Sequence, residues 1–213
     1  MQLASSLLGL QPQKRRVFFS FHYQNDIWRV NQVRNSWRHQ HESRREAEGF
    51  FDGSIWESSK RTSDDSLKNL IREGIKNTSV TCILAGTQTF ARRWVRYEIA
   101  RSIIKGNGLL VVRVNAMKNQ QGYVSAAGPN PLAFMGTYKL ADGRVLLAEK
   151  NNGKWVRYMD YTQAVTLPNY WVPPTSLSVV PLSVYASDYC YVANNGGANF
   201  SSWVRQAAEN AGK

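Results

Sequence analysis

Ser63-Asp64-Asp65-Ser66-Leu67-Lys68-Asn69-Leu70-Ile71-Arg72-Glu73-Gly74-Ile75-Lys76-Asn77-Thr78-Ser79-Val80-Thr81-Cys82-Ile83-Leu84-Ala85-Gly86 sets two elements of different periodicity back to back. Ser63 is a good N-cap, and Asp64 and Asp65 suit the positive end of a helix dipole. Leu67, Leu70, Ile71, Gly74 and Ile75 then fall on one stripe at three- and four-residue spacing, which predicts an amphipathic helix. Asn77-Thr78 ends it. From Ser79 to Gly86 the run is apolar and too short for a helix, so it reads as a strand covered on both faces. A helix feeding a doubly covered strand belongs to a right-handed βαβ unit.

The same rhythm extends in both directions. Upstream, Arg16 to Phe21 is a second buried strand, and Asp26 is placed to cap a helix carrying Ile27, Val30, Val33 and Trp37. His39 to Glu48 is strongly charged and reads as a solvated loop or helix end, and Phe50 to Trp56 as another strand. Downstream, a helix is predicted from about Phe90 to Lys105 with Trp94, Ile99 and Ile103 facing the core. Gly106 and Gly108 can terminate it, before a strand over Gly108 to Asn115. Beyond Asn115 the pattern changes. Gly122 to Pro131 is loop-like, and Thr137 to Tyr161 carries two hairpin signals, Ala141-Asp142-Gly143 and Asn151-Asn152-Gly153. Proline-rich connections through Pro168, Pro173, Pro174 and Pro181 lead to a last strand at Ser187–Val192 and a closing helix at Phe200–Ala211. The expected fold is α/β and doubly wound, flavodoxin-like. It has a mostly parallel five-stranded sheet, helices on both faces and a small antiparallel insertion at about 136–161. Residues 15–213 read as a single domain behind a flexible tail over 1–14.

Composition narrows the partners. The chain has 213 residues, 43% hydrophobic and 12% aromatic, which is too apolar for a disordered segment. Its 27 basic and 15 acidic residues leave a net charge of +12, which favours nucleic acid, an acidic protein surface or a phosphorylated small molecule. The basic residues are spread from Lys14 to Arg205 without a block, and no nucleic-acid motif accompanies them, so nucleic acid is the weaker reading. No apolar run approaches the roughly 18 residues of a membrane span. Leu7, Leu8 and Leu10 precede their charges at Lys14 to Arg16, the reverse of a secretory signal, so a cytoplasmic location is expected. Cys82 and Cys190 read as buried free thiols in preference to a disulfide. His39 and His41 read as solvated, and no metal site is expected.

In open parallel sheets ligands gather at the carboxyl ends of the strands. Three segments would meet there: His22-Tyr23-Gln24-Asn25-Asp26, Asp52-Gly53-Ser54-Ile55-Trp56, and Trp94-Val95-Arg96-Tyr97-Glu98. Val17-Phe18-Phe19-Ser20-Phe21 resembles the first-strand box of TIR domains, and Trp94-Val95-Arg96-Tyr97-Glu98 is similar to the Trp-Cys-x-x-Glu segment of TIR enzymes. With Gly49-Phe50-Phe51-Asp52 and Thr78-Ser79-Val80-Thr81 added, the order and spacing resemble the TIR-like family that includes the signalling subunit of the Thoeris anti-phage system. The resemblance covers Arg16 to about Asn115. It departs at Val95, where the family has Cys, and at His22 and Tyr23, where some TIR enzymes carry basic residues.

This resemblance implies that Glu98 is the catalytic residue of an enzyme that splits NAD and cyclises ADP-ribose into a second messenger. NAD is then the substrate with no separate cofactor. An effector protein is reached through the small-molecule signal, and self-association is an option for completing the site. Ser20, His22, Tyr23, Asn25, Asp26, Asp52 and Trp56 are the candidate substrate-binding residues. From spacing alone the reading of Glu98 as a surface residue paired with Arg101 along the helix prevails, and only the resemblance favours the catalytic role. Ser20 either ends a buried strand or meets ligand, Asp26 first caps a helix, Asp52 either holds a ribose or caps a turn, and Trp56 either stacks on a base or covers the core. Arg92, Arg93, Arg96 and Arg101 form either a solvated face or an attraction for a pyrophosphate or another subunit. The alternative function is a non-catalytic TIR-like interaction module.

Overall fold

The computed structural model describes residues 15–39, 63–175 and 178–213. The tail over 1–14, the charged segment after His39 and the strand expected at Phe50–Trp56 lie outside the described residues.

In chain order the elements begin with β1 (Val17–Phe21), α1 (Tyr23–His39), α2 (Asp64–Lys76), β2 (Val80–Ala85), α3 (Arg93–Lys105) and β3 (Gly108–Arg113). They continue with β4 (Met135–Lys139), β5 (Val145–Asn151), β6 (Lys154–Arg157), β7 (Val179–Pro181), β8 (Ser187–Cys190) and α4 (Gly196–Glu209). Two sheets result. One is parallel, in the order β1-β2-β3-β8, and the other antiparallel, in the order β6-β5-β4-β7. Among the described residues the parallel sheet therefore has four strands.

Local chemistry accounts for the boundaries. Ser63 caps α2 by accepting the Ser66 N–H at 3.3 Å, and Leu67, Ile71 and Ile75 form the buried stripe. α3 closes on Gly106 at φ 73°, a left-handed conformation that glycine adopts at little cost. One expectation is corrected: α1 starts at Tyr23, directly after β1, so Asp26 is not its cap. The His22 carbonyl accepts the Asp26 N–H at 3.0 Å, and Asp26 sits in the first turn.

Period-two alternation along the parallel strands divides the core. Val17 and Phe19, Val80, Cys82 and Leu84, and Leu110 and Val112 face α1 and α4, where Trp37 and Phe200 meet edge to face at 5.0 Å. On the opposite face Phe18 packs against Leu67, Ile71 and Ile75 of α2, while Ile83, Leu109 and Val111 pack against Val95, Ile99 and Ile103 of α3. This second core continues without a break into the antiparallel sheet through Met135, Leu147 and Tyr158.

The meander is the one anticipated, with Asn152 at φ 48° and Gly153 at φ 78° in its tight turn. Its fourth strand, β7, was not anticipated. It has three residues and ends in proline, and its partner β4 is some forty positions upstream in the chain. Cys82 and Cys190 are both free thiols, the first buried as expected and the second only half-buried. Among the described residues no helix is long and apolar enough to cross a membrane.

Candidate active site

β1 is short, and its period-two pleat puts Phe18 and Ser20 on the face covered by α2 and α3. α3 crosses that face with Val95 and Ile99 in the core, and Glu98 is turned toward the end of β1. Ser20 Oγ donates to Glu98 Oε2 at 2.5 Å, a contact between residues 78 positions apart. Glu98 is only 5% exposed and Ser20 is fully buried. The glutamate therefore does not spend its carboxylate on a surface pair with Arg101, and Ser20 supports it from behind.

Above this pair lies a cavity of about 280 Å³. Phe21, His22, Tyr23 and Gln24 line one side, and Ala91 to Val95 with Glu98 line the other. The apolar share of this wall explains the behaviour of the carboxyl. Burial pushes its pKa up to about 8, and the Ser20 hydroxyl only partly opposes that. At neutral pH the carboxyl is thus mostly protonated in the free protein, and a cation entering the cavity would favour the carboxylate.

The remaining candidates divide. His22 and Tyr23 line the cavity with Glu98. Asn25 and Asp26 line a neighbouring polar cavity of about 440 Å³, and Gln24 belongs to both. Asp26 is 1% exposed and pairs with Arg29 at 3.2 Å; burial raises its pKa, and the guanidinium partly offsets this. Asp52, Trp56 and His41 lie outside the described residues.

The arginine cluster separates just as clearly. Arg93 is tied to Asp64 and Asp160, and Arg96 to Glu149 at 2.5 Å. Arg92 lines the Glu98 cavity, donates to Gln88 Oε1 at 2.6 Å and has no ion pair among the described residues. Sequence reasoning placed all four arginines together. Tertiary contacts to Asp64 of α2 and to Glu149 and Asp160 of the meander separate the neutralised Arg93 and Arg96 from Arg92. No group of three or more metal-ligating side chains occurs among the described residues.

A buried carboxyl with a hydroxyl donor behind it and a half-apolar cavity in front can stabilise positive charge developing on a bound molecule. The chain matches the family described as "Thoeris protein ThsB, TIR-like domain" over residues 18–119, which spans β1 to just beyond β3. It is also 47% identical over 197 residues to a Bacillus cereus (strain MSX-D12) protein named "Putative cyclic ADP-D-ribose synthase ThsB1". That match covers 89% of this chain and 98% of the relative. Near half identity along almost the whole relative, joined to the family match over the core that carries Ser20 and Glu98, makes this chain a member of the Thoeris ThsB family of TIR-like proteins.

Proposed function

We propose that this protein cleaves the nicotinamide–ribose bond of NAD and cyclises the ADP-ribose part into a second messenger for anti-phage defence. The observation that carries the reading is Glu98, buried, hydrogen-bonded by Ser20 and facing a cavity it shares with His22 and Tyr23. The name of the Bacillus cereus relative supports it.

The chemistry suits a single carboxyl group. Most glycoside hydrolases use two, one of them to protonate the leaving group. In NAD the leaving nitrogen is already cationic, so the bond breaks with both electrons passing to nitrogen, and nicotinamide departs neutral. The ribose left behind carries the positive charge. The pyridinium entering the cavity draws the Glu98 proton off, and the carboxylate then faces the developing ribosyl cation. A group of the adenosine half attacks the anomeric carbon, closing the ring, and one proton is released. Ser20 orients the carboxylate, and His22 and Tyr23 line the space beside the ribose.

NAD is substrate in this reading and no separate cofactor is needed. The product reaches an effector protein by diffusion through the cytoplasm, and self-association would complete or regulate the site. The finer fold reading also belongs here: a five-stranded, doubly wound sheet within one domain over residues 15–213. It rests on the parallel order β1-β2-β3-β8 and the strand-like pattern of residues 50–56.

The test is NAD turnover in cells expressing the protein, with and without phage challenge, against Glu98→Gln. Nicotinamide and a cyclic ADP-ribose product are expected only with Glu98 intact. If neither protein consumes NAD under challenge while the chain still binds partner TIR domains, the interaction-module reading replaces this one.

A further inference from the structure

We propose that the adenosine diphosphate half of the dinucleotide lies along a second, polar cavity next to the Glu98 cavity, with Arg92 holding the diphosphate between them. This rests on the NAD-cleaving reading for its substrate and adds the residues that select the nucleotide half.

The two cavities adjoin at the start of α1. Gln24 lines both, and Trp28, one turn further on, lines the second with its indole 48% exposed. A polar bridge joins them: Gln88 Oε1 accepts from Arg92 on the Glu98 side at 2.6 Å and from Asn25 on the other side at 3.4 Å. At about 280 Å³ the Glu98 cavity is too small for a whole dinucleotide. The second, at about 440 Å³, brings the pair into the ordinary range of ligand sites.

Charge fixes the order of occupation. A pyridinium must sit beside Glu98, and Arg92 repels it. Arg92 therefore marks the path of the anionic part. Its cationic neighbours Arg93 and Arg96 are already committed to Asp64, Asp160 and Glu149, whereas the buried Nε of Arg92 has no hydrogen-bond partner among the described residues. Guanidinium recognition of phosphate oxygens is strong and directional.

Chemistry also fixes what lies beyond the diphosphate. The second cavity offers a half-exposed indole, the ordinary stacking partner of a purine, with Asn25, Gln120 and Gln121 among its polar lining. Its inner wall holds two more polar atoms, Asp26 Oδ2 and Ser125 Oγ, that have no hydrogen-bond partner among the described residues. Asp26 is buried, pairs with Arg29 through Oδ1 and lies with its carboxyl against Gly86.

The test is titration of purified protein with ADP, AMP and nicotinamide riboside, in the Glu98→Gln background so that nothing turns over. ADP is expected to bind, and Arg92→Gln to weaken it about tenfold or more, with Arg92→Lys intermediate, as loss of a charge-assisted contact implies. Trp28→Ala is expected to weaken ADP and AMP alike. Trp28→Ala should leave nicotinamide riboside binding unaltered and Arg92→Gln should not weaken it, because the riboside carries no phosphate and no purine and Arg92 only repels its pyridinium. Both substituted side chains reach solvent, and circular dichroism of each variant checks that the fold persists. The proposal is overturned if the Glu98→Gln protein does not bind ADP, or if both substitutions leave ADP binding unchanged. Either result leaves NAD cleavage untouched, while failure of NAD cleavage with ADP binding lost in Arg92→Gln would remove the enzymatic reading alone.

Discussion

Glu98 carries two opposite demands at one atom group. Its folded pKa, about 8, lies well above the 4.5 of an ordinary glutamate, so the folded state holds the proton more tightly than the unfolded one. Stability from the protonated form is therefore complete below about 4.5 and lost as pH rises through about 8. Glu98→Gln escapes that loss. It is expected to be more stable than the native protein at pH 8, by on the order of 5 kcal/mol at about 1.4 kcal/mol per pKa unit, so to melt at a higher temperature there, and to show no advantage near pH 4.5. Thermal melts at both pH values check this, and equal melting at pH 8 would contradict the buried, protonated carboxyl. Activity should run the other way. In the proposed mechanism the carboxylate is the working form, so kcat/KM for NAD is expected to rise toward a plateau above about pH 8. The Ser20 hydroxyl lowers the Glu98 pKa, so Ser20→Ala should move the midpoint to higher pH, and a profile that stays in place would mean Ser20 is mere packing.

Individual elements were legible where periodicity and caps agreed. Helix α2 was read from its N-cap and stripe, and the strands β2 and β3 from unbroken apolar runs. The start of α1 was missed because Asp26 is a good cap in isolation. The backbone instead turns into helix immediately after β1, and Asp26 takes Arg29 as its partner. Gly108 shows a constraint that sequence conceals. A Cβ there would stand 2.0 Å from the Ala207 carbonyl oxygen, so the first residue of β3 must be bare for α4 to pack on it. Gly108→Ala is expected to cost about 1–3 kcal/mol through overpacking, measured by urea unfolding. Unchanged stability would mean that the α4 end yields freely.

At the scale of the whole molecule, the antiparallel sheet is an integral part of the core on one face. Leu147 is 1% exposed and belongs to the same cluster as Ile99 of α3 and Val111 of β3. Leu147→Ala is expected to cost about 2–5 kcal/mol, and fluorescence and circular dichroism should report a single shared unfolding transition. Two separate transitions, with the parallel sheet unaffected, would show that the meander is an independent unit. The meander also works electrostatically: Glu149 and Asp160 neutralise Arg96 and Arg93, which leaves Arg92 as the unpaired cation in the cavity wall among the described residues.

The alternation of buried strands and striped helices and the meander with its Asn-Gly turn were written in local pattern, while Glu98 as the carboxyl to examine came from the resemblance of its motif to TIR enzymes. Those features depend on spacing of a few residues, which a chain carries in one dimension. Depth does not. Nothing near Glu98 in sequence announces that a serine 78 residues away would donate to it, or that burial would raise its pKa to about 8. Nor does any local signal distinguish Arg92 from Arg93 and Arg96, because their partners lie 29 to 67 positions away, on α2 and in the meander. Desolvation and ion pairing act between groups that only the folded chain brings within a few ångströms, so tertiary structure alone decided which charge in this site is free to act.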